Sequence, residues 1–138
     1  MKKYIIDTNA LISFVTDRNS AQQTRIAEIF EIAAGLRALI VCPQNVLTEF
    51  VYVMDKVYHI PKKEIATMIG DFIVTPGVEV VHEINLDILL TLWPKNISDY
   101  GDAIVASLSK NIKGAIVATF DRTFRSALKK LGLPVLPL

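Results

Sequence analysis

The sequence is poor in the residues that build zinc and redox sites. Among its 138 residues there are one cysteine, Cys42, and two histidines, His59 and His82. One cysteine closes no disulfide within the chain, and the three residues lack the Cys/His spacing of a zinc site. Long apolar runs are missing too. None approaches the roughly 20 residues needed to span a bilayer, and Met1-Lys2-Lys3 leads into a strand-like segment instead of an export signal. The expectation is an intracellular, cytoplasmic protein without membrane contact. An excess of one charge is equally lacking: the net charge is +1, so global electrostatics single out no nucleic-acid or lipid partner. Pro61, Pro76-Gly77 and Pro94 mark turns between elements, and no low-complexity tract or repeat interrupts the chain.

What is present is apolar residues, 51% of the total, enough for one globular core in one domain over residues 1–138. Short β-branched runs, "YIID", "ALIVCP", "VEVV", "GAIVATF" and "LPVLPL", are bounded by turn residues and read as four or five strands. Between them, helical spacing predicts helices over residues 21–35, 44–58, 62–74, 85–93, 101–111 and 122–131. Alternation of strands with helices, and strands apolar throughout, predict an α/β fold with a mainly parallel sheet covered on both faces. Cys42, closing "ALIVC", is expected to be a buried strand thiol.

On such a sheet, reactive groups gather beyond the carboxyl ends of the strands. Asp7 follows "KYII" and Asp121 follows "GAIVATF", which places them at the same edge. Asp99 and Asp102 stand three apart at the start of a predicted helix and share one side of its first turn. Glu49 lies in "NVLTEFVYVM", expected to be a mostly buried helix, with no Lys or Arg within a helical turn to satisfy it. Each acid also has a plain structural reading. Asp7, Asp99 and Asp121 could cap the helices that follow, and Asp102 could favour a helix dipole.

"IIDTNALI", "LTEF", "DYGDAIVAS" and "ATFDRTF", in this order over essentially the whole chain, resemble the four acidic motifs of PIN-domain ribonucleases, particularly the VapC-type toxins of toxin–antitoxin pairs. The resemblance implies a three-layer α/β/α sandwich around a parallel sheet and a catalytic quartet of Asp7, Glu49, Asp102 and Asp121. It implies Asp99 as an accessory acid, and Thr8, Asn9 and Thr119 as supporting polar residues. It also implies an RNA substrate, a homodimer and an inhibitory antitoxin. Leu11, Phe14 and Val15 are candidate partner contacts, with core packing as the alternative.

Carboxylates without His or Cys favour Mg²⁺ or Mn²⁺ over zinc or copper, and such a site suits phosphodiester hydrolysis. Asp7 and Asp102 are the expected primary ligands, Asp121 a direct or water-mediated one, and Glu49 the residue that orients the attacking water or completes the metal's shell. In "DRTFRSALKKLG", Arg122 and Arg125 are the expected RNA contacts, whereas Lys129 and Lys130 read as a solvated helix end. His59, His82 and Trp93 read as structural. Three alternatives stay open: a non-catalytic PIN-like binding module, a PIN nuclease of RNA processing without an antitoxin, and a phosphatase of the aspartyl-phosphate type. Asn9 stands where the phosphatase would need its second Asp.

Overall fold

Short β-branched strands with apolar side chains on both faces are stable only where helices cover both sides of the sheet, and the chain adopts that arrangement. The computed structural model describes residues 1–137. Strand β1 (Lys2–Ile6) is followed by helices α1 (Thr8–Val15) and α2 (Ser20–Ala34), then β2 (Ala38–Pro43), α3 (Gln44–Lys56) and α4 (Lys62–Ile73). The second half runs β3 (Val78–Val81), α5 (Leu86–Leu92), α6 (Tyr100–Asn111), β4 (Ile116–Ala118) and α7 (Arg122–Lys130). The four strands form one sheet in the order β3-β2-β1-β4. Every pairing is parallel, with Ile5 opposite Val41 on one side and Val117 on the other.

Right-handed crossovers decide which face each helix covers. The chain steps from β1 to β2 to β3 in one direction, so α1–α4 lie on one face, and α2 and α3 pack on β2. It then returns past β1 to β4, which puts α5 and α6 on the opposite face, where α6 packs against β1 and β4. The result is a three-layer α/β/α sandwich. Connections leaving β1 and β4 diverge to opposite faces, which opens a crevice at their carboxyl ends. Ile5, Cys42, Val46 and Val117 are fully buried in the core.

Three expectations change. The fifth apolar run is reduced to a single parallel bridge, Val117 to Val135, because Pro134 and Pro137 on either side lack the N–H that a ladder needs; its last residue, Leu138, lies outside the described residues. Helix α1, absent from the expected helices, is only eight residues long, too short for its periodicity to stand out from a turn. Leu11 is 1% exposed and is a core residue. Phe14 stacks on Phe30 with ring centroids 3.8 Å apart. Trp93 packs edge-to-face on Tyr100 and donates to the Ser98 carbonyl.

Arg125 is the clearest correction. It is buried on α7, and its Nη1 donates to the carbonyls of Leu136 at 2.7 Å and Thr119 at 3.2 Å. The guanidinium ties the C-terminal segment to the end of β4 and is not available to RNA. Hydrogen bonds from a charged donor contribute about 1.5–3 kcal/mol each. Arg125→Met is therefore expected to lower stability in urea unfolding by about 3 kcal/mol or more, whereas Arg122→Met, on the exposed side of the same helix, should stay within about 0.5 kcal/mol of wild type.

Candidate metal centre

Because Ile6 lies beside Ala118, the first residues past the sheet on these strands meet. The Asp7 N–H donates to the Ala118 carbonyl at 3.0 Å, which extends the ladder by one step. The Asp7 carboxylate is buried and uses both oxygens: Oδ1 accepts the Thr8 N–H at 2.9 Å, and Oδ2 accepts the Thr119 hydroxyl at 2.8 Å. Asn9 Oδ1 also lies 3.3 Å from that hydroxyl. A hydroxyl has one hydrogen, and it goes to the nearer, ionisable acceptor, Asp7. Asn9 Oδ1 instead accepts the Phe120 N–H at 3.1 Å, and Thr119 Oγ1 accepts the Asp121 N–H at 3.2 Å. The β1–α1 and β4–α7 loops are thereby stitched together.

The remaining acids arrive on helix starts. Asp121 caps α7 by accepting the Phe124 N–H at 2.9 Å, and Asp99 caps α6 by accepting the Asp102 N–H at 2.8 Å. Glu49 projects from the solvent side of α3, since Val46, Leu47, Phe50 and Met54 fill the core side. It is exposed rather than buried, contrary to expectation. Its Oε2 accepts the Thr8 hydroxyl at 2.7 Å. Gly101 makes room for it: a Cβ there would collide with Glu49 Oε1 and stand 3.2 Å from Asp99 Oδ1. Asn45, one turn before Glu49, donates to the Gly101 carbonyl at 3.4 Å, while its own Oδ1 is buried without a partner.

This crowding has an electrostatic signature. Burial pushes the Asp102 carboxyl up to about 8, with the charges of Asp7, Asp99, Asp121 and Glu49 adding to the effect. Asp7 is pushed up to about 6, again first by burial; the hydrogen bonds from Thr119 and Thr8 oppose the rise, and Glu49 and Asp121 add to it. Among the described residues the ion pairs are Arg25–Glu28 and Lys56–Asp55, so no Lys or Arg neutralises any of the five acids. Nor do three His, Cys, Asp or Glu side chains stand together there in a geometry that could hold a metal ion. The donor set still fits a hard cation: Mg²⁺ uses one or two carboxylates and keeps several waters, so three converging protein ligands are not required.

Residues 4–130 match the family model of the PIN domain. The chain belongs to the PIN-domain family. Among solved structures, VapBC2 from Rickettsia felis, bound to a DNA fragment from its promoter, matches with a TM-score of 0.66 at 16% identity over 97% of both chains. VapC20 of Mycobacterium tuberculosis, a sarcin-ricin loop cleaving toxin, matches with a TM-score of 0.66 at 15% identity over 90% of this chain and 94% of its own. The PIN-domain endonuclease Utp24 matches with a TM-score of 0.59 at 16% identity over 99% of this chain and 84% of its own. At these identities the likeness is one of fold. No curated protein matches the chain.

In this PIN domain the capping and site readings of the acids are not alternatives, because each of Asp7, Asp99 and Asp121 caps a helix and faces the cluster. Two residues were missed from sequence. Gly101 carried a usable signal, lying between Asp99 and Asp102 where a side chain would be ordinary. Asn45 stands four residues before Glu49 and shares its helix face.

Asp7 and Asp102 hold their protons more tightly folded than unfolded, so their contribution to stability is fully present below about pH 4 and is lost as pH rises through about 6 and then about 8. The metal-free protein should melt at progressively lower temperature between pH 5 and pH 9. Asp102→Asn should flatten most of that slope, and Mg²⁺ or Mn²⁺ should restore wild-type melting at the alkaline end. A slope unaffected by Asp102→Asn would contradict the assigned cause.

Proposed function

We propose that this PIN domain, spanning residues 1–138, is an endoribonuclease dependent on Mg²⁺ or Mn²⁺ and the toxin of a type II toxin–antitoxin pair. The observation that carries the proposal is the convergence of Asp7, Asp102, Asp121 and Glu49 at one sheet edge without a neutralising side chain. Asp7 and Asp102 would hold the cation, with Asp121 reaching it directly or through a water. When bound, a divalent ion lowers the pKa of water and offsets charge on a phosphodiester. Glu49, fixed by Thr8, takes the proton of a water as its oxygen attacks phosphorus, and the departing ribose oxygen is protonated from solvent. Thr119 keeps the Asp7 oxygens aimed, and Asp99 holds the first turn of α6 that carries Asp102.

The substrate reading draws on the cations that border this edge. Arg122, next to Asp121, is exposed. Beyond it, Thr123, Ser126 and Lys130 on α7 face Lys95 across a cleft of about 630 Å³. A single strand leaving the acids along α7 would meet these groups with its phosphates. The VapBC2 and VapC20 likenesses support a toxin with an antitoxin partner, and a homodimer belongs to the same reading. A PIN nuclease of RNA processing without an antitoxin is the second reading; the likeness to the PIN-domain endonuclease Utp24 over 99% of the chain supports an endonuclease under either reading.

Induced expression of wild type should arrest growth and generate discrete new RNA ends on sequencing, and Asp7→Asn should do neither. Because Asn keeps the size of Asp7 and removes a charge that burial disfavours, the variant should melt no lower than wild type. Cleavage at wild-type rate by Asp7→Asn would overturn the assignment, and RNA cutting without growth arrest would favour the processing role. Gly101→Ala, which displaces Glu49, should reduce cleavage about 10–100-fold with little change in melting. Charge reversal at Arg122 and Lys130 should lower the salt slope of RNA binding by about 0.7 per lost phosphate contact.

A further inference from the structure

The β4–α7 loop and the segment between α1 and α2 border two adjoining open clefts of about 340 and 380 Å³. Phe120, Asn19 and Gln22 line both, and Asn9 and Arg18 border the second. The acids themselves line neither cleft; the link to them is Phe120, which stands between Thr119 and Asp121 in the chain and whose N–H is held by Asn9. Phe120 is half-buried. It offers these clefts an aromatic side chain beside the place where a phosphodiester would react.

The polar groups around it are of one kind. Ser13 Oγ accepts from Arg18 Nε at 3.1 Å and Nη2 at 2.9 Å, which fills both of its acceptor positions. Its single hydrogen must then be donated, and it goes to Gln22 Oε1 at 2.8 Å. That fixes the amide of Gln22 with its carbonyl on Ser13 and its NH₂ on the other side. Asn19 Oδ1 is likewise engaged, accepting the Gln22 N–H at 3.0 Å as the cap of α2. Arg18 Nη2 also donates to the Asn9 carbonyl at 2.8 Å. The amide oxygens of Asn19 and Gln22 are therefore occupied. Arg18 Nη1, Asn19 Nδ2 and Gln22 Nε2 make no hydrogen bond among the described residues, and all three are donors.

A ligand for such a rim supplies acceptors at its edge and a flat face for Phe120. Guanine presents two adjacent acceptors, N7 and O6, on the edge that guanidinium and amide donors suit, and as a purine it offers more stacking face than cytosine, whose N3 and O2 are also adjacent acceptors. We propose that these clefts form a base-recognition subsite for a guanine adjacent to the scissile phosphate, stacked on Phe120 and read on its N7/O6 edge by Arg18, Asn19 and Gln22. The subsite rests on the nuclease reading above and gives it a sequence preference.

The test uses the non-cleaving Asp7→Asn protein with Mg²⁺ and short single-stranded RNAs of adenines carrying one variable central base. Guanine should bind about tenfold or more tighter than adenine or cytosine, and 7-deazaguanine, which lacks only the N7 acceptor, should lose most of that gain. Gln22→Glu keeps the acceptor for Ser13 and removes the donors, so guanine preference should fall relative to cytosine. Phe120→Leu keeps apolar bulk and should weaken the guanine RNA several-fold. Equal binding of all four bases, or of guanine and 7-deazaguanine, overturns the subsite and leaves the nuclease reading standing. Failure to bind any of the RNAs overturns the nuclease reading and the subsite with it.

Discussion

A carboxylate buried at the end of a central strand needs donors, and Asp7 finds its decisive one on the neighbouring strand. The 2.8 Å bond from the Thr119 hydroxyl joins β1 and β4 just beyond their last ladder bond, where the two chains would otherwise part toward opposite faces of the sheet. Other contacts are built on it. Asp121 reaches the edge because its N–H is anchored on the same hydroxyl. Arg125 grips the Thr119 carbonyl from below, and Asn9 holds the next peptide. Removal of the hydroxyl would leave a buried carboxylate short of a donor, a loss on the order of 1–3 kcal/mol, and would free the loop that carries Asp121.

The acids are also structural elements of the helices they precede. Asp7, Asp99 and Asp121 each occupy an N-cap position, where unpaired N–H groups and the positive end of the helix dipole favour negative charge. Three helix starts converging on one crevice thus partly offset the mutual repulsion of the carboxylates before any cation binds. That offset is incomplete, since Asp102, inside the first turn of α6, is still pushed up to about 8. The fold tolerates the cluster without neutralising it.

Much of this architecture was legible in the sequence because the relevant signals are local. Four apolar strands, six of the helices and the convergence of Asp7 with Asp121 follow from periodicity and from the rule that strand ends gather functional groups. What escaped depends on partners distant in the chain. Glu49 looked buried because its neighbours are apolar, yet it lies on the opposite face of α3 and is steadied by Thr8, 41 residues away. Arg125 looked like a surface cation because it follows Arg122 by one turn of a helix; the carbonyls that take it inside are those of Thr119, just past β4, and Leu136, in the C-terminal segment. The fifth strand carried the right apolar content and the wrong backbone chemistry, with two prolines limiting it to one bridge.

The placement of cations shows why the cluster stays available for an external one. Arg125 is four residues from Asp121, and Arg18 lies against the carbonyl of Asn9, so either could have faced an acid after a modest rearrangement. Each is directed instead to carbonyl and hydroxyl oxygens. A guanidinium paired with Asp7 or Asp102 would lower that carboxyl's pKa and stabilise the folded chain at neutral pH. It would also occupy the oxygens that the proposed cation would use and place fixed positive charge where the proposed phosphodiester substrate would approach. By holding its arginines on backbone carbonyls, the chain gives up that stability at one edge of the sheet. The core beneath β1 and β4 is fully buried and can sustain the loss.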